Sequence, residues 1–198
     1  HFIFNSLSVI QGYIFKGSAK EAANYLSNFG KLMRHILENS REEYVMLNKE
    51  VETLNHYLEL QNLRHGGKIN YKIDLGANLS SDSVSVPPML AQPFIENSIK
   101  HGINDNGEIS IVVKYLKNDD KMKLIIEDNG IGINNNQNKN DKLDKHKSLA
   151  ISITEERLQI LSKRSKSKFK LRIIDINQED KNRLGTRVEV ELPYLEEF

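Results

Sequence analysis

At 198 residues the chain is long enough for one ordinary domain or two small ones, and 38% hydrophobic against 28% charged residues describes a soluble body with its own core. The 28 basic and 27 acidic residues nearly cancel, which argues against a general nucleic-acid or polyanion binder. The lack of cysteine excludes disulfides, thiolate metal sites and cysteine catalysis, and no apolar run approaches the ~20 residues of a membrane span.

The first sixty-odd residues read as helix. Ile3, Leu7, Ile10 and Ile14 recur at spacings of four and three, the stripe of an amphipathic helix. After Gly17, Ser18 with Glu21 forms a capping-box pattern, and Ala22, Leu26, Phe29, Met33 and Ile36 continue the rhythm. Asn39, Ser40 and Arg41 interrupt it, Leu47, Val51, Leu54 and Leu58 restart it, and Gly66-Gly67 supplies a stop. Two long helices joined by a polar loop cannot cover their own seams. The pattern therefore predicts a four-helix bundle formed by a homodimer, with an intramolecular helical cap as the alternative.

Beyond Lys68 the texture changes. The spacing predicts a strand over 68–75, a helix through Leu90–His101 after Pro87-Pro88, and strands over 108–116 and 121–128. In the last of these Met122, Leu124, Ile126 and Asp128 share a face. Residues 134–147 form a polar, Asn-rich loop. A helix over 148–162 and strands over 169–176 and 186–192 complete an α+β chain, divided near Gly66-Gly67 into residues 1–66 and 67–198. The start on His1 reads as a fragment of a longer protein.

Four features could carry chemistry. Asn97, Lys100 and His101 lie on one helix face, where an amide oxygen suits a hard cation and the two basic side chains suit phosphate. Asp128-Asn129-Gly130-Ile131-Gly132 puts an acceptor at a strand end beside backbone that a ligand can approach closely; an ordinary turn is the alternative. Gly185-Thr186 opens the last strand. His1, in line with Asn5, Ser8 and Gly12, projects outward and could attack phosphorus. His35, His56, His65 and His146 show no ligand spacing, so no structural metal site is expected.

In order, these pieces resemble the transmitter region of a bacterial sensor histidine kinase of the LytS-like group. His1-Phe2-Ile3-Phe4-Asn5-Ser6-Leu7 resembles the phosphoacceptor box, and residues 57–64 the second-helix signature. Gln92–Gly102 is similar to the N box, Asp128–Gly132 to the first glycine box, and Gly185-Thr186 to the terminal box. The resemblance implies a helical dimerisation and phosphotransfer hairpin followed by a GHKL-type α/β sandwich with a mixed sheet. It further implies ATP and Mg²⁺ as cofactors. Asn97 would bind Mg²⁺, with Lys100 and His101 near the phosphates and Asp128 on the adenine amine. Gly130, Gly132 and Gly185 would skirt the nucleotide beside Thr186, and residues 134–147 would be the lid. Where many relatives begin the lid-end helix with Gly-x-Gly, this chain has Ser148 and Ala150, so Lys147 and Ser148 would have to contact phosphate instead.

The implied activity is autophosphorylation of His1, then transfer to an aspartate of a response regulator, a partner that in this group often carries a LytTR DNA-binding domain. No direct nucleic-acid binding and no membrane contact are expected of this stretch, which would be the cytoplasmic portion of a bacterial inner-membrane protein. The alternative is a degenerate nucleotide-binding and dimerisation module with little kinase activity. A gyrase-like ATPase fits less well, because Pro93 stands one turn before Asn97 where a glutamate is expected.

Overall fold

The structure is a computed structural model that describes residues 2–103, 107–132, 152–163 and 169–196. His1, the 134–147 loop, Lys147, Ser148 and Ala150 lie outside the described residues. Helix α1 spans Phe2–Phe15 and α2 Ala19–Asn39. Between them Gly17 takes φ +72°, and the Ser18 N–H reaches back to the Tyr13 carbonyl at 2.9 Å, closing α1 with a left-handed cap. The chain then reverses, so the ring of Phe2 lies 6.1 Å from that of Phe29, and Tyr25 Oη donates to Ser6 Oγ at 3.5 Å. The expected single long helix is therefore two, folded back as a hairpin. Ser18 precedes α2 as its N-cap residue but makes no side-chain cap bond; at ψ 63° it lies outside the β-region from which a capping oxygen reaches the first turn.

Strand β1, Val45–Met46, leads into α3, Leu47–Arg64. The third helix runs antiparallel to α2, with Asn39 Nδ2 donating to Thr53 Oγ1 at 3.3 Å. Buried residues occur around most of α3 (Leu47, Glu50, Leu54, Tyr57, Leu58, Leu60), because α2 covers one side and β1, β2 (Ile69–Leu75) and β3 (Val84–Val86) the other. Gly66-Gly67 separates α3 from β2 in sequence, yet both sides of that point share one apolar core.

The main sheet has the order β2-β4-β5-β7-β6, with β4 at Ile109–Asn118, β5 at Lys121–Asp128, β6 at Lys170–Asp175 and β7 at Thr186–Pro193. Among the described residues only the β2–β4 pair is parallel, so the sheet is mixed. Ile109, Ile111, Val113 and Tyr115 of β4 and Val188, Val190 and Leu192 of β7 are buried, as alternation requires. Helix α4, Gln92–Gly102, packs against β4 and β5, with Ile95 and Ile99 inward. Helix α5 spans 152–163, and a short α6, Ile176–Glu179, follows β6. The predicted strand stops one residue early because Asp175 caps α6, its Oδ1 accepting from the Asn177 N–H at 3.1 Å. A second sheet, β1-β3-β8 with β8 at Leu195–Glu196, has strands of two or three residues, too short to show alternation in sequence.

Candidate functional site

Asp128 is the last residue of β5 and keeps the phase of Met122, Leu124 and Ile126, so the strand's alternation turns its carboxylate inward to 8% exposure. Three donors hold it. Ser98 Oγ donates to Oδ2 at 2.7 Å, while the N–H groups of Gly130 and Thr186 donate to Oδ1 at 3.0 and 3.1 Å. An ionised carboxylate offers roughly four acceptor positions, so about one stays open, on Oδ2.

The surrounding glycines are required by contact. A Cβ on Gly130 would lie 2.4 Å from the Gly102 Cα, so α4 can reach the β5 end only over bare backbone. Gly185, at φ +134°, sits so close to β5 that a Cβ there would lie 1.9 Å from the Asp128 carbonyl oxygen. Gly132 neighbours the Asp175 carboxylate. Asn129 ties the corner to β4, accepting from the Ser110 N–H at 2.7 Å on its side-chain oxygen. Asp128, Gly130, Gly185 and Thr186 thus converge on one corner, together with Ser98 and Gly102. These last two belong to the Gln92–Gly102 stretch but lie off the face shared by Asn97, Lys100 and His101, so helical spacing from that trio does not reveal them.

Asn97 is half-buried on α4, one residue from Ser98; Lys100 is exposed, and His101 falls in the last turn of the helix. Lys100 also lines a cavity of about 410 Å³ whose wall includes Phe2, Asn5, Tyr57 and Glu96. The first turn of α1 therefore opens onto α4, and the face holding Asn5 looks toward this cavity as well as outward. Burial pushes the Tyr57 hydroxyl above its ordinary range, with Glu96 adding to the effect.

Two constellations are absent from the sequence reading. Glu50 of α3 is 1% exposed and accepts the Met89 N–H at 2.9 Å, at the loop entering α4. Burial raises its pKa to about 7, opposed by the backbone N–H groups of Met89 and Leu90 and by the charge of Arg157 on α5. The second is a correction. No ligand cluster was expected among the histidines, yet the antiparallel packing of α2 on α3 brings His35, Glu52 and His56 together, with ligand atoms within 4.8 Å of one another. The i, i+4 spacing of Glu52 and His56 was the available signal; His35 is joined only by the fold.

A family model described as Histidine kinase matches residues 1–69. Sensor protein LytS of Oceanobacillus iheyensis is 32% identical over 133 residues, covering 67% of this chain and 22% of that protein. Sensor protein LytS of Bacillus subtilis is 29% identical over 134 residues, again 67% of this chain and 22% of the relative. This chain therefore spans less than a quarter of the length of either. Among solved structures, the histidine kinase domain from the blue-light activated histidine kinase of Erythrobacter litoralis has a TM-score of 0.52 at 15% identity, covering 94% of this chain and 84% of that one. That likeness concerns the fold: helices first, then the mixed sheet of the GHKL type.

Proposed function

We propose that this chain, a LytS-like sensor histidine kinase in sequence and fold, is the transmitter part of such a kinase: it binds Mg·ATP at the Asp128 corner and phosphorylates His1. The observation that carries the reading is the buried Asp128 carboxylate, oriented by Ser98, Gly130 and Thr186 with one acceptor position spare. An exocyclic amine, as on adenine, fits that vacancy, directly or through a water. Gly130 packs on the Gly102 Cα and Gly185 on the Asp128 carbonyl, so these glycines set the shape of the corner and hold the carboxylate in place for such a base.

Asn97, half-buried beside Ser98 on α4, is the residue we assign to Mg²⁺, which when bound neutralises phosphate charge. Lys100 and His101 are assigned to the phosphates, as are Lys147 and Ser148. The imidazole of His1 attacks the γ-phosphorus, the bond to the ADP oxygen breaks, and the imidazole proton leaves to solvent or a nearby base. The cavity shared by Phe2, Asn5, Glu96 and Lys100 supports a close approach of the α1 start to α4. The same reading makes the chain a homodimer, takes a response-regulator aspartate as the next acceptor, and takes a membrane-bound sensor as the input. The alternative of a degenerate module rests on Ser148 and Ala150.

The test is phosphoryl transfer from γ-³²P-labelled Mg·ATP in the full-length protein and in His1→Gln. Acid-labile, alkali-stable label that disappears in the variant is the expected result. Label that persists there overturns the choice of acceptor, and an absence of both label and ATP binding favours the degenerate module.

A further inference from the structure

His35 on α2 and His56 on α3 face each other across the helix pair, ring centroids 5.5 Å apart. Glu52, one turn before His56, lies beneath both, its Oε1 3.9 Å from each Nε2. Both imidazoles are mostly sheltered, at 23% and 21% exposure, while the carboxylate is 57% exposed and free to swing. At 3.9 Å neither approach is a hydrogen bond. Direct pairing is therefore a poor account of why three such groups meet.

Their spacing fits a different bond. Ligands at roughly 2.0–2.2 Å around a tetrahedral ion stand about 3.3–3.5 Å from one another. The N···O distances exceed that by about half an ångström and the widest pair of ligand atoms lies within 4.8 Å, so the three groups close on an ion by rotation of Glu52 and of both rings about their side-chain torsions. Two imidazoles and one carboxylate are the donor set of zinc-type ions, whereas Mg²⁺ and Ca²⁺ prefer oxygen throughout. We propose that His35, Glu52 and His56 form a binding site for a divalent transition-metal ion of the zinc class, with water in the remaining position. This site is separate from the Mg²⁺ assigned to Asn97 and does not depend on that assignment.

The position gives the ion a structural consequence. Its ligands come from α2 and α3, one turn from the Asn39–Thr53 bond, and α3 rests on the sheet. A bound ion therefore staples the α1–α2 hairpin, whose first turn leads from His1, to the layer that carries α4. Occupancy restrains motion between hairpin and sheet, a regulatory input independent of nucleotide.

The test uses untagged protein and Zn²⁺ alone, titrated against a chromophoric chelator, with Co²⁺ as the spectroscopic probe. One tight equivalent, a rise in Tm with Zn²⁺ and the intense visible bands of low-coordinate Co²⁺ are expected. In the double variant His35→Gln, His56→Gln the affinity falls by roughly 100-fold or more and the Tm rise is lost, while the metal-free melt matches wild type. His56→Cys keeps the ion and adds a thiolate-to-cobalt charge-transfer band, a signature produced only by a residue bonded to the metal. Unchanged affinity in the double variant assigns binding to other histidines and overturns the proposal. So does a His56→Cys protein that binds Co²⁺ without the new band, or wild type with no tight equivalent.

Discussion

The open acceptor on Asp128 makes a sharp prediction because the other three positions are taken by the protein itself. In Asp128→Asn the remaining oxygen still accepts from the Gly130 and Thr186 N–H groups, and the new amide can donate to Ser98 Oγ, a hydroxyl that accepts as readily as it donates. The fold should survive, while the outward position turns from acceptor to donor. Losing one charge-assisted hydrogen bond costs about 1.5–3 kcal/mol, so ATP affinity should drop roughly 10- to 150-fold with Tm nearly unchanged. Calorimetric titration with Mg·ATP checks this; equal affinity in the variant would remove Asp128 from the nucleotide site. Asp128 was legible because alternation along β5 fixed its face. Ser98 was not, because only the packing of α4 on β5 shows which side of the helix meets the carboxylate. Glu50 was hidden for a similar reason: within an amphipathic pattern a glutamate reads as solvent-facing, and nothing local reveals that two elements cover it.

Among the elements, α3 does most to join the molecule, and Glu50 is the point where that joining depends on pH. Burial raises its pKa from 4.5 to about 7, so the folded chain holds a proton that the unfolded chain has released. The sign follows: stability from protonated Glu50 is fully present below about pH 4.5 and is lost as pH rises through 7. A shift of roughly 2.5 units corresponds to about 3 kcal/mol. Glu50→Gln keeps an oxygen for the Met89 N–H and cannot ionise. Its stability relative to wild type should therefore improve by about 3 kcal/mol between pH 4.5 and pH 8, read from urea midpoints at both values. A constant difference would mean that Glu50 stays ionised in the fold, held by Arg157. The longer elements, β2, β4, β5, β7 and α4, were legible within two or three residues, since each spans enough periods to declare its type. The β1-β3-β8 sheet was not, and the break at Gly17 was underread because apolar residues resume their rhythm directly beyond it.

At the scale of the whole molecule, α1 carries more apolar surface than one chain covers. At about 100° per residue, Phe2, Ser6, Val9, Ile10 and Tyr13 occupy one arc, turned toward the core. Ile3, Ile14, Leu7, Phe4 and Phe15 fill an adjoining arc of about 120° and remain 46%, 61%, 45%, 76% and 90% exposed. On α2, Leu26 and Leu37 continue this face at 52% and 63% exposure. A contiguous apolar surface across two antiparallel helices is the kind that a second copy covers, giving four helices from two hairpins. Charges placed there should separate the copies without unfolding either, because these side chains contribute little to the core of their own chain. Leu7→Glu combined with Ile14→Glu is thus expected to convert a dimer into a monomer in sedimentation equilibrium, with an unchanged monomer fold by circular dichroism. If the double variant keeps the dimer mass, the copies meet elsewhere; if wild type is monomeric even at high concentration, this face is not a homodimer seam. Trans phosphorylation would additionally require the dimer, so the monomeric variant also asks whether the cavity between α1 and α4 suffices for transfer within one chain. Label retained in that monomer means transfer in cis, and label lost while ATP still binds means that the partner copy brings the histidine to the nucleotide.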